Sequence, residues 1–410
     1  VNKVEAMVIV GAGLAGATAA ATLRAEGFGG PVILIGAEDA QPYLRPPLSK
    51  GFLAGKESEE SLLPYPADWY TQNNVELILS DAATHIDPVA HTVQLTSGRS
   101  IQYSKLLLTV GASPRKLDLP GAGLGGVTTY RTKSDSQYLH TELSGGGRQL
   151  VLIGSGWIGM EVAATARELG NEVTLLGLEE VPLSAAIGSE LGNVFAARHK
   201  EAGVRFLLPA SVKEIKGDDD GGVTSVVTST GEELPADLVV IAVGVTPNTG
   251  LAEAAGLTVS NGIQVDSGLR TGVEDIFAAG DVANALHPVT GEYARSEHWA
   301  NAIAGGEVAA KSMLGQRAEL DAIPYFYTDQ FDLGMEYSGY SSIAKDAEVI
   351  IRGSLEDREF IAFWVRDGKV VAGMNVNVWD VQEVIQDLVK SGRTVDVKAL
   401  ADPMTELGSL

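Results

Sequence analysis

The sequence predicts an α/β protein with two Rossmann-like dinucleotide-binding domains and a smaller α+β domain after them. Three observations carry that expectation. The apolar run Met7-Val8-Ile9-Val10 leads into Gly11-Ala12-Gly13-Leu14-Ala15-Gly16, glycines at G-x-G-x-x-G spacing between a buried strand and a helix of small residues. The pattern recurs 143 residues later, where Val151-Leu152-Ile153 leads into Gly154-Ser155-Gly156-Trp157-Ile158-Gly159. Beyond about residue 321 the glycine loops give way to aromatic strands and one amphipathic helix.

The glycines have separable physical tasks. Gly11 makes the tight turn, Gly13 lets the backbone approach a pyrophosphate, and Gly16 lets helix press on strand. The phosphates sit at the positive, amide-rich end of the following helix. At 410 residues the chain has room for two or three such domains.

Composition excludes several classes of function. The sequence has no cysteine, which removes disulfides, thiolate metal sites, cluster ligation by its own thiolates and every dithiol redox mechanism. Its formal charge of −23 disfavours nucleic acid and anionic membrane. No apolar run approaches the roughly 18–20 residues that cross a bilayer, and no signal peptide is expected, so the expected location is the cytoplasm.

After the first helix, Pro31–Ile35 reads as the second strand. A carboxylate past that strand binds the adenosine ribose. Gly36 and Ala37 hold the usual positions, which leaves Glu38 as the nearest acid. Pro46-Pro47 then opens a short helix from which Arg45 and Lys50 project. Residues 75–110 alternate as short strands and end at Leu106-Leu107-Leu108-Thr109-Val110-Gly111, while His85 and His91 lack partners at metal-ligand spacing. The second unit repeats this order of glycine turn, meander, buried strand and glycine, closing on Leu238–Val243 and Gly244. Its second strand, Val173–Leu176, leads to Gly177-Leu178-Glu179-Glu180, with no Lys or Arg between 171 and 197. Acids there repel a 2′-phosphate and favour NADH over NADPH. The run Asp218-Asp219-Asp220 is a loop tip. Asp275–Asp281 reads as a strand ending in the carboxylate of Gly280-Asp281, and Glu297-His298-Trp299 opens a helix to Leu314. In the tail, Arg366-Asp367-Gly368-Lys369 is a hairpin turn and Val381, Val384, Ile385 and Leu388 share a helix face. Trp379 is expected to pack in the core rather than line the cofactor cleft.

Gly11–Gly16, the run Arg45-Pro46-Pro47-Leu48-Ser49-Lys50 and these later segments resemble the glutathione-reductase-like flavoproteins that act as FAD-dependent NAD(P)H:ferredoxin reductases of oxygenase systems. That group takes in putidaredoxin reductase, biphenyl dioxygenase ferredoxin reductase and apoptosis-inducing factor. The resemblance runs from about residue 5 to about residue 405. It implies an FAD-binding domain at 1–111 and 244–320, an NAD-binding domain at 112–243 and a C-terminal α+β domain at 321–410. It implies further that Arg45 and Lys50 lie against FAD, joined by Gly111, Arg131, Gly280, Asp281, Glu297, His298 and Trp299. Lys50 and Glu161 are the expected catalytic pair beside flavin N5. NADH then delivers a hydride to FAD, and single electrons pass to an iron–sulfur ferredoxin that serves a cytochrome P450 or a Rieske-type oxygenase. Ferredoxins are commonly acidic, so docking calls for local cations, with Arg45, Arg115, Lys116 and Arg295 as candidates. NADH oxidase, a monodehydroascorbate reductase-like enzyme, a redox sensor like apoptosis-inducing factor and a slow cofactor-binding scaffold are the alternatives. No metal, nucleic acid or membrane partner is expected.

Overall fold

The computed structural model describes residues 6–410; residues 1–5, the start of the expected stretch 1–111, lie outside the described residues. Contacts divide the chain into two units. The first takes the chain up to Arg45, Glu59–Ser113 and Thr246–Pro324. The second takes Pro46–Ser58, Pro114–Val245 and Tyr325–Leu410.

The first unit is built on a five-stranded parallel sheet in the order Ile276–Ala278, Lys105–Leu108, Met7–Val10, Val32–Ile35, Val75–Ile78. Nearly continuous Val, Ile and Leu suit strands covered on both faces. The glycine loop leaves Met7–Val10 where the strand order reverses, the place at which open α/β sheets bind ligands. Helix Leu14–Ala25 packs on helix Trp299–Met313, and the contact is close because both faces are small: a Cβ at Gly306 would meet the Ala15 carbonyl oxygen at 2.6 Å.

The second unit repeats the plan. Its parallel sheet runs Arg205–Leu207, Glu172–Leu176, Gln149–Ile153, Leu238–Ile241, Val127–Thr129. Three-stranded meanders stand at matching points of the two halves, at 83–102 and 212–235. The C-terminal stretch adds an antiparallel sheet, Tyr325–Gln330, Leu333–Gly339, Lys369–Val376, Glu359–Arg366, Glu348–Ser354, with helix Gln382–Ser391 across it. The parallel sheet and the C-terminal sheet share one apolar core that also takes in Leu53.

Three local features differ from the sequence expectation. Pro46–Ser58, inside the expected stretch 1–111, groups with the second unit because its carbonyls are bonded there. Tyr130 Oη and Ser136 Oγ donate to the Leu48 carbonyl, and Thr165 Oγ1 donates to that of Ser49 at 2.8 Å. Trp379 is 55% exposed rather than in the core. The strand ends at Val376 and Asn377 takes a φ of 52°, so the inward alternation stops before Trp379 is reached. The helix expected from Glu297 starts at Trp299, with extended His298 as its N-cap.

Candidate functional site: two dinucleotide cradles and a buried ion pair

Both glycine loops have the geometry their spacing implies. Gly11 has φ +119° and Gly154 φ +124°, and a Cβ at either would lie 2.2 Å from a carbonyl oxygen, of Thr109 or Ala242. A Cβ at Gly16 or Gly159 would lie 2.2 or 2.1 Å from the carbonyl oxygen of Gly11 or Gly154. By contrast, a Cβ at Gly13 or Gly156 would meet nothing within 4 Å. Space is thus held open at the middle glycine of each loop, over the start of a helix with no acidic residue in its first turn. That is the shape and charge a pyrophosphate requires.

In the first unit, Gly280 comes back to this loop, where a Cβ would sit 3.1 Å from Ala15 Cβ. Asp281 follows, and Arg295 Nη1 donates to its carbonyl at 3.2 Å while pairing with Glu297 at 2.5 Å. Burial pushes His298 down to about 4, against the opposing pull of Asp281, so its ring is neutral at pH 7. Ser296 Oγ is buried with no hydrogen-bond partner among the described residues, a polar group left for a ligand or water. Glu38 accepts from Tyr43 Oη at 2.6 Å and pairs with Arg45 at 3.1 Å, so these two expected contact residues hold each other. Gly111 has φ +65°, and its carbonyl accepts from the Asn248 amide at 3.0 Å.

In the second unit, Ser155 is buried, Ile158 is 44% exposed, and the Trp157 ring turns away to pack on Phe195 and Phe326. Gly177 stands at the position usual for an acid. A Cβ there would meet Ser155 Oγ at 2.4 Å and Leu208 Cδ2 at 3.0 Å, so a side chain would have to displace Ser155. Glu179 is the first carboxylate beyond it, and Ser184 Oγ donates to it at 3.2 Å. Gly244 closes the half with φ +95°, and its carbonyl accepts from the Arg115 amide at 2.9 Å. Arg131 lies in this unit too, its amide bonded to Asp135 at 2.9 Å.

Lys50 and Glu161, 111 residues apart, meet at 3.0 Å, with side chains 15% and 5% exposed. Glu161 is the fifth residue of helix Trp157–Glu168, beyond the first turn, so complementing the helix dipole does not explain it. Lys50 Nζ also donates to the Pro46 carbonyl at 3.1 Å and lies 5.2 Å from the centre of the Tyr327 ring. Two partners of Glu161 were missed from sequence. Ser49 Oγ donates to Oε2, and Thr328 Oγ1 donates to Oε1 at 2.6 Å. Ser49 carried a signal, standing beside Lys50 in the quoted run. Thr328 and Gln330 carried a fainter one, polar residues alternating with Phe326 on the inward face of an aromatic strand. Asp329 lies close by; burial raises its pKa, Glu161 and Glu336 add to the rise, and Lys50 opposes it.

Fold and site together define a two-dinucleotide oxidoreductase. Residues 5–306 match the pyridine nucleotide-disulphide oxidoreductase family and residues 325–410 match the reductase C-terminal domain. The chain belongs to that family. It is 36% identical to a ferredoxin–NAD(P)(+) reductase of Sphingomonas sp, over 97% of this chain and 94% of the relative. It is 35% identical to putidaredoxin reductase of Pseudomonas putida, over 92% and 89%. Among solved structures, a ferredoxin reductase from Rhodopseudomonas palustris superposes with a TM-score of 0.94 at 35% identity, over 99% of both chains. The covalent putidaredoxin reductase–putidaredoxin complex gives 0.94 at 33% identity, over 99% of this chain and 98% of the other. The cradles fit the FAD and pyridine nucleotide that this family implies. Among the described residues no group of three or more His, Asp or Glu is set to hold a metal ion, and no helix is long and apolar enough to cross a membrane.

Proposed function

We propose that the chain is an NADH-dependent ferredoxin reductase, passing electrons to an iron–sulfur ferredoxin of a P450 or Rieske-type oxygenase system. The observation that carries this reading is the buried Lys50–Glu161 pair in a chain with two dinucleotide cradles and no cysteine. Gly11–Gly16, Gly280, Asp281 and His298 would hold FAD, with Glu38 and Arg45 at its adenosine end; Gly154–Gly159 and Glu179 would hold NADH. Bound FAD supplies the conversion between a hydride received from nicotinamide and electrons released singly. The residues supply the rest. Lys50 keeps a fixed positive charge at Nζ, which favours electron density arriving beside it. Glu161 holds that ammonium in one place and balances its charge in the buried site. Neutral His298 accepts or donates one hydrogen bond without adding charge.

Glu179 favours NADH because its carboxylate repels a 2′-phosphate, and the close packing of Gly177 against Ser155 supports an acid standing two residues later than usual. The test is anaerobic stopped-flow reduction of the flavin by NADH. Lys50→Ala lowers the limiting rate about tenfold or more while NADH binding is retained. An unchanged rate removes Lys50 from the mechanism. Cytochrome c reduction that requires an added iron–sulfur carrier supports the reductase; fast turnover on oxygen or ascorbate radical without one supports the alternatives.

A further inference from the structure

Side chains alternate along strand Tyr325–Gln330, so Phe326, Thr328 and Gln330 share one face. Phe326 packs on Trp157, and Thr328 bonds Glu161, one helical turn further along the same helix. Thr328 and Gln330 are 1% and 0% exposed. A polar group this deep is costly unless bonded, so both need a task.

The bonds between them run in one direction. An ionised carboxylate only accepts, so the Thr328 hydroxyl must give its single proton to Glu161 Oε1 at 2.6 Å. Thr328 Oγ1 is then left to accept, and Gln330 Nε2 donates to it at 3.1 Å. This fixes the amide, with the result that Gln330 Oε1 is buried with no partner among the described residues. Turning the amide over would set Oε1 against Thr328 Oγ1 and compete for the one proton. An unsatisfied acceptor is kept so that Glu161 Oε1 has its donor.

Glu161 Oε1 is also the oxygen that Lys50 Nζ meets, while Oε2 is held by Ser49. We propose that Thr328 is a positioning residue: it fixes Glu161 Oε1, and through it the Lys50 ammonium, with Gln330 fixing Thr328 in turn. The C-terminal sheet thereby takes part in the reaction, although none of its residues was expected to. The inference rests on the reading of Lys50 and Glu161 given above.

The experiment compares holoenzymes carrying Thr328→Val, which keeps shape and loses the hydroxyl, Thr328→Ser, Glu161→Gln, Lys50→Ala and the Thr328→Val/Glu161→Gln pair. Two quantities are read: the limiting rate of flavin reduction with its NADH half-saturation, and the midpoint potential of the bound flavin. Thr328→Val is expected to lower the limiting rate about tenfold at unchanged half-saturation and to shift the potential, and Thr328→Ser to restore both. In the Glu161→Gln background, Thr328→Val should add less than about twofold, because it acts through that carboxylate. Wild-type rate and potential in Thr328→Val, or losses that multiply in the double variant, overturn the proposal. Should Thr328→Val not fold, Gln330→Met carries the test, with a loss of about threefold expected and wild-type behaviour decisive against it. Wild-type rates in Lys50→Ala and Glu161→Gln would instead remove the underlying reading. Slow Lys50→Ala beside unaffected Thr328→Val removes the positioning role alone.

Discussion

At the scale of single residues, the first loop's glycines differ in the space around them, which predicts that Gly11 is needed for folding and Gly13 for binding. A methyl group at Gly11 would run into the Thr109 carbonyl at 2.2 Å, in a backbone conformation that L residues rarely adopt. Gly11→Ala should therefore destabilise the chain by roughly 2–4 kcal/mol or prevent folding. A Cβ at Gly13 meets nothing within 4 Å among the described residues, so Gly13→Val is expected to place its branches in the space proposed for phosphate. It should leave the urea unfolding free energy of flavin-free protein within about 0.5 kcal/mol of wild type while the flavin-to-protein ratio falls sharply. Equal damage from both changes would show that the open space has no ligand. Past strand Glu172–Leu176, the residue proposed to choose the nucleotide is Glu179. Reversing its charge with Glu179→Arg should move the NADPH-to-NADH ratio of kcat/KM up by about tenfold or more, since repulsion becomes attraction. An unmoved ratio in steady-state kinetics would take nucleotide choice away from this position.

At the scale of elements, helix Trp157–Glu168 organises the second unit through one face. Trp157, Glu161 and Thr165 recur every four residues and reach, in order, Phe326, the Lys50–Ser49–Thr328 cluster and the Ser49 carbonyl. The short Pro46–Ser49 helix is held from the other side by helix Lys133–Leu143 and its approach, where Tyr130 and Ser136 both donate to the Leu48 carbonyl. Either donor alone still satisfies that buried oxygen. Tyr130→Phe and Ser136→Ala should each be mild, while the double variant strands the carbonyl and costs about 1–3 kcal/mol beyond their sum. Additive urea midpoints would mean that the two bonds are independent. This level also marks what the sequence left legible. Strand, glycine turn and helix were readable because the pattern is local and each residue type has a steric reason. The neighbourhood of Glu161 was not, because Ser49, Lys50 and Thr328 come from three distant stretches and only packing brings them together. Trp379 was misjudged for a related reason: its apolar character was plain, but the backbone turn at Asn377 that expels it is a property of the folded hairpin.

At the scale of the whole molecule, charge sets the terms of encounter with a partner. The chain carries −23, so an acidic iron–sulfur carrier is repelled over long range and must be met by local cations. Two of the four cations named from sequence are committed elsewhere. Arg45 pairs with Glu38, and Arg295 is buried against Glu297 with a side chain 10% exposed. Arg115 and Lys116 are exposed and adjacent. Added salt shortens the reach of the repulsion from about 30 Å at 0.01 M to about 8 Å at 0.15 M, but screens a contact pair at the docking point less. Carrier-dependent cytochrome c reduction should therefore rise over that range, and Arg115→Ala/Lys116→Ala should lower it most at low salt without changing anaerobic flavin reduction by NADH. A rate that falls steeply with salt would show that attraction between opposite fields governs the encounter, and the carrier would then have to be basic.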